Sequence, residues 1–158
     1  MTTRQILVKF LEQVRLDIIA EQSEKGIRNT GTSAESLRVV SSRSSARLES
    51  VGYFRFLYKD QGRRPGGFPP LKPIIDWMRS KGIQPGSDSK GRQMTINQAA
   101  FTIARKIARL GTSIYQNPSK GIDLDAIIER HLDDTVDVLG DEIRHTFVEH
   151  LNKNIIRV

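Results

Sequence analysis

Residues 53–83, YFRFLYKDQGRRPGGFPPLKPIIDWMRSKGI, hold the change of pattern that decides how this chain folds. Tyr53–Lys59 alternates and is rich in aromatics, which predicts a strand. Phe54, Phe56 and Tyr58 would share one face, and Tyr53, Arg55, Leu57 and Lys59 the other. The next eleven residues, 60–70, contain three glycines and three prolines, so regular structure cannot continue through them. Gly62, Gly66 and Gly67 open backbone shapes that other residues resist. Pro65, Pro69 and Pro70 remove conformational freedom from the unfolded chain and so stiffen the loop. From Leu71 the apolar period lengthens to that of a helix, expected over about 71–81. Pro73 suits its first turn, where a missing N–H costs nothing. Ile74, Trp77 and Met78 form the expected buried side, and Gly82 marks the stop. A strand therefore runs into a stiff loop bearing Arg63 and Arg64, an arrangement suited to making contacts.

Upstream, Leu7, Leu11, Val14 and Ile18 recur at helical spacing, widened by Ile6 and Phe10, and predict a helix over 4–21. Residues 28–35 (RNTGTSAE) are turn formers. Residues 36–59 read as short strands of an antiparallel meander, with Ser41–Ser45 as a polar turn. Downstream, 84–93 (QPGSDSKGRQ) reads as a flexible polar loop. Thr95-Ile96-Asn97-Gln98 matches a capping box that opens a helix over about 95–110. Its apolar stripe is Ile96, Ala100, Ile103, Ile107 and Leu110, and Gly111 ends it. Residues 111–122 are again loop-like. A long helix follows over about 123–152, with Leu124, Ile128, Leu132, Leu139, Ile143 and Phe147 as its spine and Gly140 as a point of kinking or breakage. Residues 154–158 suggest a short strand or arm. The order predicts an α+β fold: a small antiparallel sheet packed against several helices, with a long C-terminal helix. At 158 residues the chain has the size of one domain, 1–158.

Charge is unevenly distributed within a net +7. Residues 1–60 carry 10 basic and 7 acidic side chains, residues 61–120 carry 11 and 2, and residues 121–158 carry 4 and 9. A basic middle thus precedes an acidic end. Phosphates could attract the first, or the two could meet across copies of the chain. Arg105, Lys106 and Arg109 are the candidate basic surface or channel lining. Asp133, Asp134, Asp137 and Asp141 are the candidate acidic interface.

The absence of cysteine excludes disulfides, thiolate zinc sites and a cysteine nucleophile. No apolar run reaches the roughly 20 residues of a membrane span, and residues 1–10 lack the pattern of a signal peptide. We therefore expect a chain that stays in a cytosol or in something assembled there, without a membrane partner. His131, His145 and His150 all fall in the last helix. Glu142 and His145 form a Glu-x-x-His pair, but a di-metal site needs a second pair and further carboxylates. The four aspartates lack the glycine turn of a calcium loop. Neither G-x-x-x-x-G-K-[ST] nor G-x-S-x-G is present. No enzyme activity, metal, cofactor or small-molecule substrate is expected. The basic helix is not preceded by a helix and tight turn of helix-turn-helix type, and the aromatic strand lacks the pattern of sheet-based RNA readers.

The segment 53–112 resembles the tailed-phage neck and tail-completion proteins, the small head–tail joining or tail-terminator subunits of virions. Tyr58, Gly62, Arg63, Arg64, Pro65, Gly66, Pro69, Pro70, Ile74, Trp77, Lys81, Gly82 and Ile83 carry the first part of the likeness. Ala100, Ile103, Ala104, Arg105, Ile107, Gly111 and Thr112 carry the second. The resemblance implies a non-enzymatic virion protein that forms a ring at the head–tail junction or tail end. Its partners would be further copies and other neck, portal or tail proteins, with DNA in a channel as a secondary partner. It implies that Gly62–Gly66, Phe68, Pro69 and Pro70 form a contact loop, supported by Tyr58, Ile74, Trp77, Ile103 and Ile107. The alternative is a small basic DNA-binding protein.

Overall fold

The computed structural model describes residues 1–27, 31–43 and 45–155. Within them the chain is α+β, with one small antiparallel hairpin among helices and a long C-terminal helix. It divides into two compact units, one of residues 1–21, 35–51 and 124–158, the other of residues 22–34 and 52–123.

The first unit holds most of helix α1 (Thr3–Glu24), a hairpin of β1 (Arg38–Ser41) and β2 (Ala46–Glu49), and helix α6 (Leu124–Ile155). The hairpin register sets Arg38 opposite Glu49 and Val39 opposite Leu48. The α1 stripe does bury, through Ile6, Val14 and Ile18, and α6 contributes the fully buried Ile127. Asp17 on α1 accepts from Arg130 Nη1 at 2.8 Å and pairs with His131 Nε2 at 3.0 Å on α6. At the other end, the Met1 amino group reaches Glu142 at 3.4 Å. The two helices therefore run antiparallel. Gly140 neither kinks nor breaks α6, which is continuous over 32 residues.

The second unit is built on α3 (Leu71–Ser80) and α4 (Ile96–Leu110). Ile74 and Met78 of α3 pack on Ala99, Ala100 and Ala104 of α4, with Leu71, Ile75, Ile96, Ile103 and Ile107 around them. Alanines on the facing side let the two helices approach closely. The capping box forms as its residues require: Gln98 N–H donates to Thr95 Oγ1 and Thr95 N–H donates to Gln98 Oε1. A short α5 (Ser113–Gln116) and a 3-10 turn, Pro118–Lys120, occupy the stretch read as loop.

Tyr53–Lys59 is not a strand. Gly52–Leu57 forms a 3-10 helix, followed by an isolated parallel bridge between Tyr58 and Ile122. A short aromatic run fits a tight helical turn as well as a strand, and periodicity over so few residues cannot separate them. Packing decides here. Phe54 is 1% exposed while Phe56 is 41% exposed, so the two do not share a buried face. Phe54 meets Tyr58 edge-on at 5.3 Å, and the Arg55 guanidinium covers the exposed Phe56 ring.

Two further expectations change. Residues 84–93 form an ordered turn: the Asp88 carboxylate accepts from the N–H groups of Lys90 and Arg92 and from Arg92 Nε, and Ser87 bridges Gln93. These contacts, the Arg92 backbone N–H first, hold the Asp88 carboxyl below its ordinary pKa. Thr32–Glu35 is a single helical turn rather than loop. Of the turn formers upstream, residues 28–30 lie outside the described residues, as do residue 44 of the polar turn and residues 156–158 of the expected strand or arm. Asn154 and Ile155 close α6.

Candidate interaction site on the loop and helix platform

The stiff loop is locked to the α4–α5 corner by its glycines. Gly62 is buried against α5: a Cβ there would sit 2.7 Å from Tyr115 Cα and 2.8 Å from Ile114 C. Gly111 has φ +79°, and a Cβ there would lie 2.7 Å from the Arg63 carbonyl oxygen and 2.6 Å from the Tyr115 ring. Only glycine fits either place. Thr112 N–H donates to Arg63 O at 2.9 Å, and Gly66 N–H donates to Ala108 O at 2.8 Å. Phe68 then rests on Phe101 of α4 at 5.2 Å, both rings being 49% exposed. Pro69 is buried and Pro70 precedes the first turn of α3.

The two arginines of the loop are not equivalent. Arg63 folds back and donates from Nη2 to Gly67 O at 2.8 Å, so it braces the loop. Arg64, Pro65 and Gly66 are exposed. Arg64 is therefore the outward cation.

By helical spacing Arg105, Arg109 and Lys106 occupy the arc of α4 between its loop contact (Phe101, Ala108) and Ile103 and Ile107. All three are exposed. Beyond that arc lies a groove of about 760 Å³, lined by Trp77, Ile103, Ile107, Lys106, Gln116 and Lys120 among others. Trp77 is 39% exposed and forms a wall of this groove instead of core. The reason is geometric. The α3 arc facing the alanines of α4 centres on Ile74, Met78, Leu71 and Ile75, which leaves Trp77 at its rim. Ile74 is core, and Ile103 and Ile107 are partly buried against it. Tyr58 supports the loop base: its phenol is half-buried and burial raises its pKa. Its neighbours Leu57 and Lys59 bond the backbone of Ile122 at 2.8 and 3.0 Å.

The expected contact loop, basic helix and support residues thus converge in the second unit. Asp133, Asp134, Asp137 and Asp141 lie on α6 in the first unit, all exposed. Asp141 pairs with Arg144 at 3.4 Å. Glu142 and His145 do not form a joint site: Glu142 pairs with the Met1 amino group and His145 faces Glu149 at 4.0 Å. Phe101, Tyr115 and Gly121 were not singled out by the sequence. Phe101 lies off the apolar stripe of α4, and that displacement was the readable sign of a surface ring. Tyr115 meets Gly62, and a Cβ at Gly121 would lie 2.7 Å from the Tyr58 carbonyl carbon. Both approaches depend on distant segments and leave no local pattern. No family model matches this chain, and neither a curated protein nor a solved structure is detectably similar to it.

Proposed function

We infer that this chain is a structural subunit of a tailed-phage virion, forming a ring at the head–tail junction or the tail end. One observation carries the reading. The two segments that resemble neck and tail-completion proteins are distant in sequence, yet they meet in a single device. Arg63 and Gly66 of the first segment contact Gly111, Thr112 and Ala108 of the second, and Gly62 packs on α5 just beyond it. A loop fixed this firmly presents the Arg64 backbone in one place, so little backbone entropy is lost when a partner engages it. The basic 61–120 region then faces the acidic α6 of a neighbouring copy or a partner ring. The test is genetic. Arg64→Glu leaves the purified protein folded, because the side chain is exposed, and blocks the joining of heads to tails in the phage that encodes it. Normal yields of infectious particles from that variant overturn the reading.

A second reading, binding to DNA, is favoured by the exposed Phe68–Phe101 pair, whose Phe101 lies on the same helix α4 that carries the exposed Arg105 and Arg109. Stacking rings interleaved with cations suit a strand of nucleic acid.

A further inference from the structure

Two exposed surfaces of this chain have apolar centres and opposite charge. The first is on α6. α6 has 32 residues and α1 has 22, about 48 and 33 Å at the helical rise. Because Met1 reaches Glu142, α6 runs on past the start of α1 to Ile155. Ile143 and Phe147 on this overhang are 58% and 62% exposed, and Leu132 and Val136 continue the same face at 42% and 56%. An acidic ridge, Glu129, Asp133, Asp137 and Asp141, runs beside that face at four-residue steps. The first three form no ion pair among the described residues. Large apolar side chains in a row, rimmed by charge, mark a contact surface. The second surface is the Trp77 groove. Its apolar walls are Trp77, Ile103 and Ile107, and Lys106 and Lys120 supply its cations.

We propose that the apolar face of α6 in one copy seats in the Trp77 groove of the next copy, with the acidic ridge against Lys106 and Lys120. The occupant is a second copy because the chain itself carries the complementary partner in shape class and in sign of charge. The two faces differ, so the contact is heterologous and repeats head to tail, which closes into a ring when the rotation permits. This rests on the ring reading above and adds the identity of the joined surfaces.

The absence of cysteine makes the test direct. Two single variants, Val136→Cys and Ser113→Cys, are purified, mixed and oxidised. A mixed disulfide dimer is expected, in excess of either self-dimer. Phe147→Asp is expected to weaken self-association roughly 30-fold or more, the scale of an interface hot spot, without changing far-UV circular dichroism. Lys106→Glu is expected to weaken it too, and Asp133→Lys on the neighbouring copy to restore it. A ring that persists in Phe147→Asp, or one whose oxidation yields mainly Val136–Val136 dimers, overturns this contact and leaves the ring reading standing. A third protein carries both Val136→Cys and Ser113→Cys in one chain; an internal disulfide in it, with no mixed dimer from the single variants, assigns the groove to the chain's own helix and also overturns the contact. Wild-type protein that stays monomeric at every concentration overturns both.

Discussion

At the scale of single residues, backbone space decides more than side-chain chemistry. Gly62 is held against the backbone of Ile114 and Tyr115, which cannot rotate away. Gly62→Ala is expected to destabilise the protein by about 1–3 kcal/mol, the cost of overpacking. Gly86 has open space around its Cβ position, so Gly86→Ala is expected to stay within about 0.5 kcal/mol of the parent. Urea unfolding of the pair checks the contrast, and equal midpoints refute the locked loop. The sequence made the glycines conspicuous, since they crowd one short segment with prolines. It could not say which glycine was pinned, because Tyr115 lies more than fifty positions away. Nor could it separate Arg63 from Arg64: adjacent identical residues differ only in what the fold sets beside them.

At the scale of elements, α1, α3, α4 and α6 were legible because each repeats its apolar residues at helical spacing over ten residues or more, whereas the four-residue turn Thr32–Glu35 and the four-residue α5 were not. α4 is the clearest case, with Thr95 and Gln98 bonded as their spacing implied. The 3-10 turn over Gly52–Leu57 was not legible, since six residues carry too few periods to separate its repeat from that of a strand. Gly140 misled in a similar way. It sits inside an unbroken helix with nothing near its Cβ position. Gly140→Ala is therefore expected to stabilise the protein by about 0.5–1 kcal/mol. A lower melting temperature for that variant refutes a straight, open α6 at this point. The hairpin provides a pH signature. Arg47 and then Arg38 hold the Glu49 carboxyl below its ordinary value of 4.5. A depressed carboxylate contributes stability that is complete above the unfolded pKa and disappears as pH falls through the folded one. Amide protection in the hairpin, taken relative to intrinsic exchange at each pH, is expected to fall as pH drops below the ordinary carboxylate range, and Glu49→Gln to remove that dependence. An unchanged profile in the variant refutes it.

At the scale of the whole molecule, the net charge of +7 is the remainder of two opposed regions, and only their separation is informative. If nucleic acid is the partner of the basic region, duplex affinity falls on the order of 10³-fold between 50 and 200 mM salt for about six phosphate contacts. If the partner is the acidic helix of another copy, salt loosens self-association and DNA at low salt stays unbound. Fluorescence anisotropy with a labelled duplex separates the two outcomes. The acidic and basic regions were evident from counting residues. The spine of α6 was evident too, but only Leu124, Ile128 and Leu139 of it are partly buried while Leu132, Ile143 and Phe147 are exposed, because helical period records which residues share a face and not whether anything covers it.

The bridge between Tyr58 and Ile122 has a mechanical meaning. It ties the entry of a long excursion, loop, α3, α4 and α5 included, to its exit. The two bridged segments run parallel, so tension applied along the chain from before Leu57 to after Asp123 pulls them past each other in shear. The Lys59–Ile122 and Ile122–Leu57 hydrogen bonds and the Lys59–Asp123 ion pair then share the load at once rather than breaking one by one. Force passing through the backbone bypasses the Arg64 loop and the groove, and these keep their shape while their neighbours are strained.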